Sequence, residues 1–173
     1  MAFIRLAEQS DIPRITEIEI SASQKFLTLE NAPYCANCTV PAEQLEAACA
    51  QKLFWVIEDE AKTAGFLCAL KIDRCLHIEE LSVSMDHQGK GVGKELLSHV
   101  MNFAREKRYS GITLTTDKDI PWNGPFYQRI GFRILADQEK LPKVYAVLEE
   151  DHSKYHDPET RVAMIYALEA LVH

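Results

Sequence analysis

Leu81-Ser82-Val83-Ser84-Met85-Asp86-His87-Gln88-Gly89-Lys90-Gly91-Val92-Gly93-Lys94 is the stretch on which the fold turns. It begins as a strand, passes through three glycines in five residues, and ends where the period changes: Leu96, Leu97, Val100, Met101 and Ala104 recur at helical spacing. A glycine-rich turn lets the backbone bend tightly and approach a ligand, and amides at a helix N-terminus make a pocket for phosphate oxygens. Lys90 and Lys94 add charge-assisted contacts to the same anion. The stretch is no Walker loop, because G-x-x-x-x-G-K-[ST] is absent. It is no dinucleotide fingerprint either, because the third Gly of G-x-G-x-x-G is missing. Without further signals it is a glycine-rich connection between a strand and a helix.

The elements around it supply those signals. Upstream, Phe3 to Ala7 alternates as a first strand. Ser10, Asp11 and Pro13 then open a helix with Ile12, Ile15, Ile18 and Ile20 near helical spacing. Residues 27 to 40 read as a loop, followed by a short helix carrying Leu45, Ala48 and Cys49. Leu53 to Ile57, a turn over Glu58 to Thr63, Ala64 to Ile72, and Cys75 to Ser84 follow in meander order. Downstream, Ile112 to Thr116 is a strand, and Pro121 to Ile130 a short helix ending at Gly131. Phe132 to Leu135 is a strand, Leu141 to Ser153 helical, and Arg161 to Ala167 a last strand. Strands that first run in a meander and then alternate with helices make a mixed α/β (α+β) sheet.

The chain has 173 residues, which predicts a single domain over 1–173. Its 19 Lys and Arg against 26 Asp and Glu give a net charge of −7, which disfavours nucleic acid and anionic lipid as partners. Any polyanionic ligand is therefore held by a local device. No window reaches the roughly 20 apolar residues of a membrane span, and no signal peptide opens the chain. A cytoplasmic location is expected. Cys35 and Cys38 have metal-ligand or redox spacing, but nothing completes a zinc tetrad and no metal is predicted. The histidines other than His77, among them His87, His152, His156 and His173, show no metal spacing and read as solvated.

Gln88-Gly89-Lys90-Gly91-Val92-Gly93 resembles the Gln/Arg-x-x-Gly-x-Gly/Ala signature of the GNAT superfamily of acyl-CoA-dependent N-acetyltransferases. Phe126-Tyr127-Gln128-Arg129-Ile130-Gly131-Phe132 resembles its aromatic-Tyr-x-x-x-Gly-Phe motif, and with Pro125 is especially similar to arylalkylamine N-acetyltransferases. The element order matches from Ile4 to Met164. The resemblance implies a central sheet of about seven strands flanked by about five helices, acetyl-CoA as co-substrate and no metal. It places the pantetheine arm on Leu81, Ser82 and Val83, and the pyrophosphate on the turn Gln88, Gly89, Lys90, Gly91, Val92, Gly93 and Lys94.

It also makes Tyr127 the general acid for the departing thiolate, against the alternative of an aromatic that packs a helix onto the sheet. Phe126 lies beside the cofactor or packs. For the base, strand period places His77, Glu79, Leu81 and Val83 on one face and Ile78, Glu80 and Ser82 on the other. Two adjacent carboxylates in an apolar strand are costly to bury, so at least one faces a wet cleft, and Glu79 and Glu80 both stay candidates. In the resembled enzymes two histidines two residues apart help deprotonate the amine. Here His77 matches the first and Glu79 replaces the second, giving either a His77–Glu79 proton relay or a satisfied strand histidine. Many family members bond the pantetheine with an Asn seven residues before the tyrosine. That position is Ile120 here, leaving Asn123 as a cofactor contact or as the helix cap.

The acceptor implied is a small cationic or arylalkyl amine, drawn by Glu79, Glu80, Asp117 and Asp119, with Phe26 and Tyr34 as contacts or packing. Acetylation of a peptide or protein amine, and a non-catalytic acyl-CoA sensor, are the competing readings. A monomer and a homodimer both agree with the sequence.

Overall fold

The computed structural model describes residues 2–30, 39–137, 139, 141–154 and 158–168. Among them run seven strands and five α-helices: β1 (Phe3–Leu6), α1 (Ile12–Ser23), α2 (Ala42–Ala50), β2 (Phe54–Asp59), β3 (Lys62–Ile72), β4 (Cys75–Val83), α3 (Val92–Glu106), β5 (Gly111–Asp117), α4 (Gly124–Ile130), β6 (Arg133–Ile134), α5 (Pro142–Lys154) and β7 (Arg161–Ala167). The sheet order is β1-β2-β3-β4-β5-β7-β6. β4 and β5 are parallel, pairing Cys75 with Gly111 and His77 with Thr113, whereas β1/β2, β2/β3, β5/β7 and β6/β7 are antiparallel. The mixed α/β class read from the sequence is the one observed.

The chain forms two compact units. The first comprises Met1–Leu70 and Glu79–Asn102. Its core joins Ile15 and Ile18 of α1, Leu45 and Ala48 of α2, and Phe54, Val56, Phe66 and Cys68 of the sheet. Ile15 and Ile18, wholly removed from water, are each worth about 1.5–3 kcal/mol. Phe54 and Phe66 meet edge to face with centroids 5.9 Å apart. The second unit comprises Lys71–Ile78 and Phe103–His173, and packs Cys75, Leu135, Leu141, Val144, Ala163 and Ile165 together. In it, Asp151 of α5 accepts from Arg161 of β7 at 2.8 Å and from the Thr115 hydroxyl of β5, which ties the helix to two neighbouring strands.

Element ends differ from the sequence reading where backbone conformation overrode residue type. The β2–β3 turn shrinks to Glu60 and Ala61, both left-handed at φ 49° and 61°, so the strands run on to Asp59 and from Lys62. The helix expected from Pro121 starts at Gly124, and the strand expected over Phe132 to Leu135 keeps only Arg133 and Ile134. Cys35, Cys38, Tyr34, His156 and His173 lie outside the described residues.

Candidate active site

β4 leads through the short turn Met85–His87 and residues 88–91 into α3. Local bonds shape this connection. The Gln88 side-chain amide donates to the Val83 carbonyl at 2.9 Å, the His87 amide to the Ser84 carbonyl at 2.9 Å, and Ser84 Oγ lies 2.8 Å from His87 Nδ1. His87 is thus half-buried and engaged, not solvated. Gly89 and Gly91 are left-handed, at φ 74° and 86°, a conformation side chains resist. A Cβ on either would find nothing within 4 Å, so the space above the turn is open. The Gly91 carbonyl accepts the first helical bond, from Glu95 N–H at 3.0 Å. The amides that open α3 have no intrahelical acceptor. Those amides, the open turn and the exposed Lys90 and Lys94 are a donor set that fits the oxygens of a pyrophosphate. Leu81 and Val83 are half-buried on β4, while Ser82 is buried and donates to Glu80 Oε1 at 2.7 Å.

Three carboxylates of the first unit, Glu19, Glu79 and Glu80, are buried or half-buried. Glu79 is half-buried on β4, and burial raises its pKa. The charge of Glu80 acts on Lys25 and on Glu19 of α1. Glu19 is only 7% exposed; burial first, and then the charge of Glu80, pushes its carboxyl up to about 8. Lys25 shifts the other way, because burial lowers its pKa. Sequence reading passed over Glu19 and Lys25. The one available signal for Glu19 was a carboxylate one residue beyond Ile18, on the apolar stripe of α1.

His77 belongs to the second unit. It is 2% exposed, and its Nδ1 is 2.9 Å from Thr113 Oγ1 on the parallel neighbour β5. Burial holds it neutral, pushing its pKa down to about 4 against the opposing charge of Asp151. This geometry suits a satisfied strand histidine rather than a charged relay. On α4, Tyr127 is 9% exposed and meets Phe126 and Phe132 edge to face, at 5.1 and 5.5 Å between centroids; Phe132 continues to Tyr166 at 5.6 Å. Asn123 stands at the N-cap position, where its carbonyl accepts from Tyr127 N–H at 3.1 Å, but its side chain makes no capping bond. Asp117, expected to attract a cationic substrate, is spent on structure. Its Oδ1 accepts from the Asp119 and Ile120 amides at 2.8 and 3.0 Å, and its Oδ2 from Thr160 Oγ1 at 2.6 Å. His152, also expected in solvent, lies half-buried 3.3 Å from the Arg161 carbonyl oxygen.

Among the described residues no three His, Cys, Asp or Glu side chains gather as a metal site. No helix there is long and apolar enough to cross a membrane.

Known proteins share both sequence and fold with this chain. Human N-acetyltransferase 8B is 36% identical over 161 residues, 88% of this chain; the chain spans 63% of that protein's length, less than two thirds. Among solved structures, N-acetylglutamate synthase from Neisseria gonorrhoeae, complexed with coenzyme A and N-acetyl-glutamate, superposes with a TM-score of 0.74 at 19% identity, covering 98% of this chain and 35% of that one. PaiA N-acetyltransferase from Thermoplasma acidophilum, in complex with coenzyme A, gives 0.74 at 14% identity, covering 96% and 99%. At such identities the likeness is one of fold. The profile of the Acetyltransferase (GNAT) family matches residues 23–132, more than half of the sequence, and the chain belongs to that family.

Proposed function

We propose that the chain works as a single acyl-CoA N-acyltransferase domain, moving the acetyl group of acetyl-CoA directly to the primary amine of a small cationic or arylalkyl molecule. The observation that carries this reading is the connection from β4 to α3, where two left-handed glycines open onto free space ahead of a fifteen-residue helix. The amides of residues 89–94, with Lys90 and Lys94, suit the pyrophosphate, and the backbone of Leu81, Ser82 and Val83 suits the amide groups of the pantetheine arm. The coenzyme A in the two related structures supports the same cofactor.

When bound, acetyl-CoA supplies an acyl group on a thiolate leaving group. The chain's residues manage the protons. An amine arrives as an ammonium ion and must lose a proton before its nitrogen can form the new C–N bond. Glu79, whose pKa is raised by burial, and Glu80 are the acceptors we assign. His77, buried and bonded through Nδ1 to Thr113, serves the strand instead. As the C–S bond breaks, Tyr127 gives its hydroxyl proton to the sulfur. Phe126 packs against the Tyr127 ring and fixes its direction. The carboxylates of Glu79 and Glu80 favour a cationic acceptor.

The test is release of free thiol from acetyl-CoA by the purified chain, against a panel of arylalkylamines, polyamines and short peptides. We expect turnover with a small amine at a kcat/KM about ten-fold or more above any peptide, a margin of about 1.4 kcal/mol. Turnover with peptides alone would make it a protein acetyltransferase. Binding of acetyl-CoA with no turnover across the panel would make it a sensor.

A further inference from the structure

In the second unit the ring of Tyr127 is the inner end of an aromatic ladder. Phe132 meets it at 5.5 Å between centroids, and Tyr166 of β7 meets Phe132 at 5.6 Å, tilted by 51°. Tyr166 also reaches the end of α4. A Cβ on Gly131, the left-handed residue that closes this helix, would come within 3.1 Å of Tyr166 Cε2, so the glycine lets the ring lie against the backbone. The same turn returns two bonds to α4: the Gly131 amide donates to the Gln128 carbonyl at 3.0 Å, and the Phe132 amide to the Tyr127 carbonyl at 3.1 Å. Tyr166 thus bears twice on the helix that carries Tyr127, through the Phe132 ring and through the helix end.

Tyr166 is firmly placed. β7 lies between β5 and β6 in the sheet, pairing Tyr166 with Ile112 on one side and the neighbouring Ile165 with Arg133 on the other. Arg133 directly follows Phe132, so the strand that sets Tyr166 also sets Phe132. At the outer end Arg105, in the last turn of α3, donates from Nη2 to Tyr166 Oη at 3.2 Å, and its guanidinium carbon lies 5.9 Å from the ring centroid. A half-buried tyrosine on a strand paired along both edges is a more rigid support than a loop residue.

We propose that Tyr166 is a positioning residue for the general acid: its ring, backed by the sheet, holds Phe132 and the end of α4 so that the Tyr127 hydroxyl keeps one direction. This rests on the reading of Tyr127 as the proton donor to the departing thiolate. A reacting group displaced by about 1 Å can lose on the order of 10²-fold in rate, so a support one ring removed from the donor has a kinetic effect.

The test is a double-mutant cycle with the best amine of the panel. Tyr166→Leu removes the ring but keeps an apolar side chain on the strand. It should lower kcat about ten-fold and leave the KM values for acetyl-CoA and amine unchanged, whereas Tyr166→Phe, which keeps the ring, should recover most of that loss. In a Tyr127→Phe background, Tyr166→Leu should cost nothing further, because the hydroxyl it positions is gone. A general loosening of the fold costs the same in both backgrounds, so an additive ten-fold loss overturns the proposal while leaving the role of Tyr127 intact. A Tyr166→Leu variant with the wild-type kcat overturns it as well. Tyr166→Met, which fills the space with a flexible chain, takes its place in the cycle if Tyr166→Leu fails to fold. If Tyr127→Phe keeps the full rate, or the wild-type chain acetylates no amine, the reading beneath the proposal fails, and the ring alone decides about Tyr166. In chain labelled with 3-fluorotyrosine, the Tyr127 fluorine resonance, identified by its loss in Tyr127→Phe, should then move towards that of the free amino acid in Tyr166→Leu. An unmoved resonance overturns the positioning role.

Discussion

Tyr127 is held by rings on two sides, Phe126 and Phe132, so removing its hydroxyl alters its chemistry much more than its packing. Tyr127→Phe should lower kcat by about 10²-fold or more, the usual worth of a positioned general acid, with the acetyl-CoA KM and the melting temperature little changed. Retention of the full rate would return Tyr127 to the packing role that its burial also allows. At this scale the sequence offers a candidate where chemistry and pattern coincide: an aromatic-Tyr-x-x-x-Gly-Phe run singles out its tyrosine for test. Its signal for Glu19, a carboxylate on the apolar stripe of α1, was weak, because a single carboxylate in a helix reads as solvent-facing until the fold brings the Val40 amide to it. It misled about Asp117, whose type suggests a cation site but whose oxygens are consumed by the turn at the end of β5 and by Thr160.

The connection from β4 to α3 was legible as an element because glycines recur there for a backbone reason. Gly91 at φ 86° marks a residue whose replacement costs about 1–2 kcal/mol of backbone strain. Nothing lies within 4 Å of its missing Cβ, so Gly91→Val meets no clash inside the protein. Its stability loss should stay near that strain, while affinity for coenzyme A, measured by calorimetry, should fall at least about ten-fold because the added methyls occupy the anion's approach. Unchanged affinity would remove the pyrophosphate from this turn. Other elements were legible in kind but not in extent. β7 runs over Arg161–Ala167 as its alternation indicated, since β5 pairs with it along its full length. The β2–β3 turn was overestimated because Glu60 and Ala61 carry no hint of left-handed backbone. α4 begins late because Gly124 lies against the end of β5, where a Cβ would come within 2.7 Å of the Lys118 carbonyl oxygen. That close approach is a tertiary fact with no local signature.

For the molecule as a whole, the pH dependence of stability follows from two buried groups shifted in opposite senses. His77 is depressed from 6.5 to about 4, so its contribution is complete above about pH 6.5 and is lost as pH falls towards 4, up to about 3 kcal/mol in all. Glu19 is raised from 4.5 to about 8, so its contribution is complete below about pH 4.5 and is lost as pH rises through 8. Between about pH 4.5 and 6.5 the two slopes oppose each other, which predicts a plateau there and decline on both sides. The net charge of −7 at neutral pH adds self-repulsion on the alkaline side. Urea unfolding at pH 4, 5.5 and 8 checks this on the wild type, His77→Gln and Glu19→Gln. From pH 5.5 to 4 the wild type should lose roughly 1–2 kcal/mol more than His77→Gln, and from 5.5 to 8 it should lose more than Glu19→Gln. If His77→Gln and the wild type fall in parallel below pH 5.5, the histidine is not held neutral by burial. Glu79 and Glu80 then regain His77 as a rival for the proton of the incoming amine.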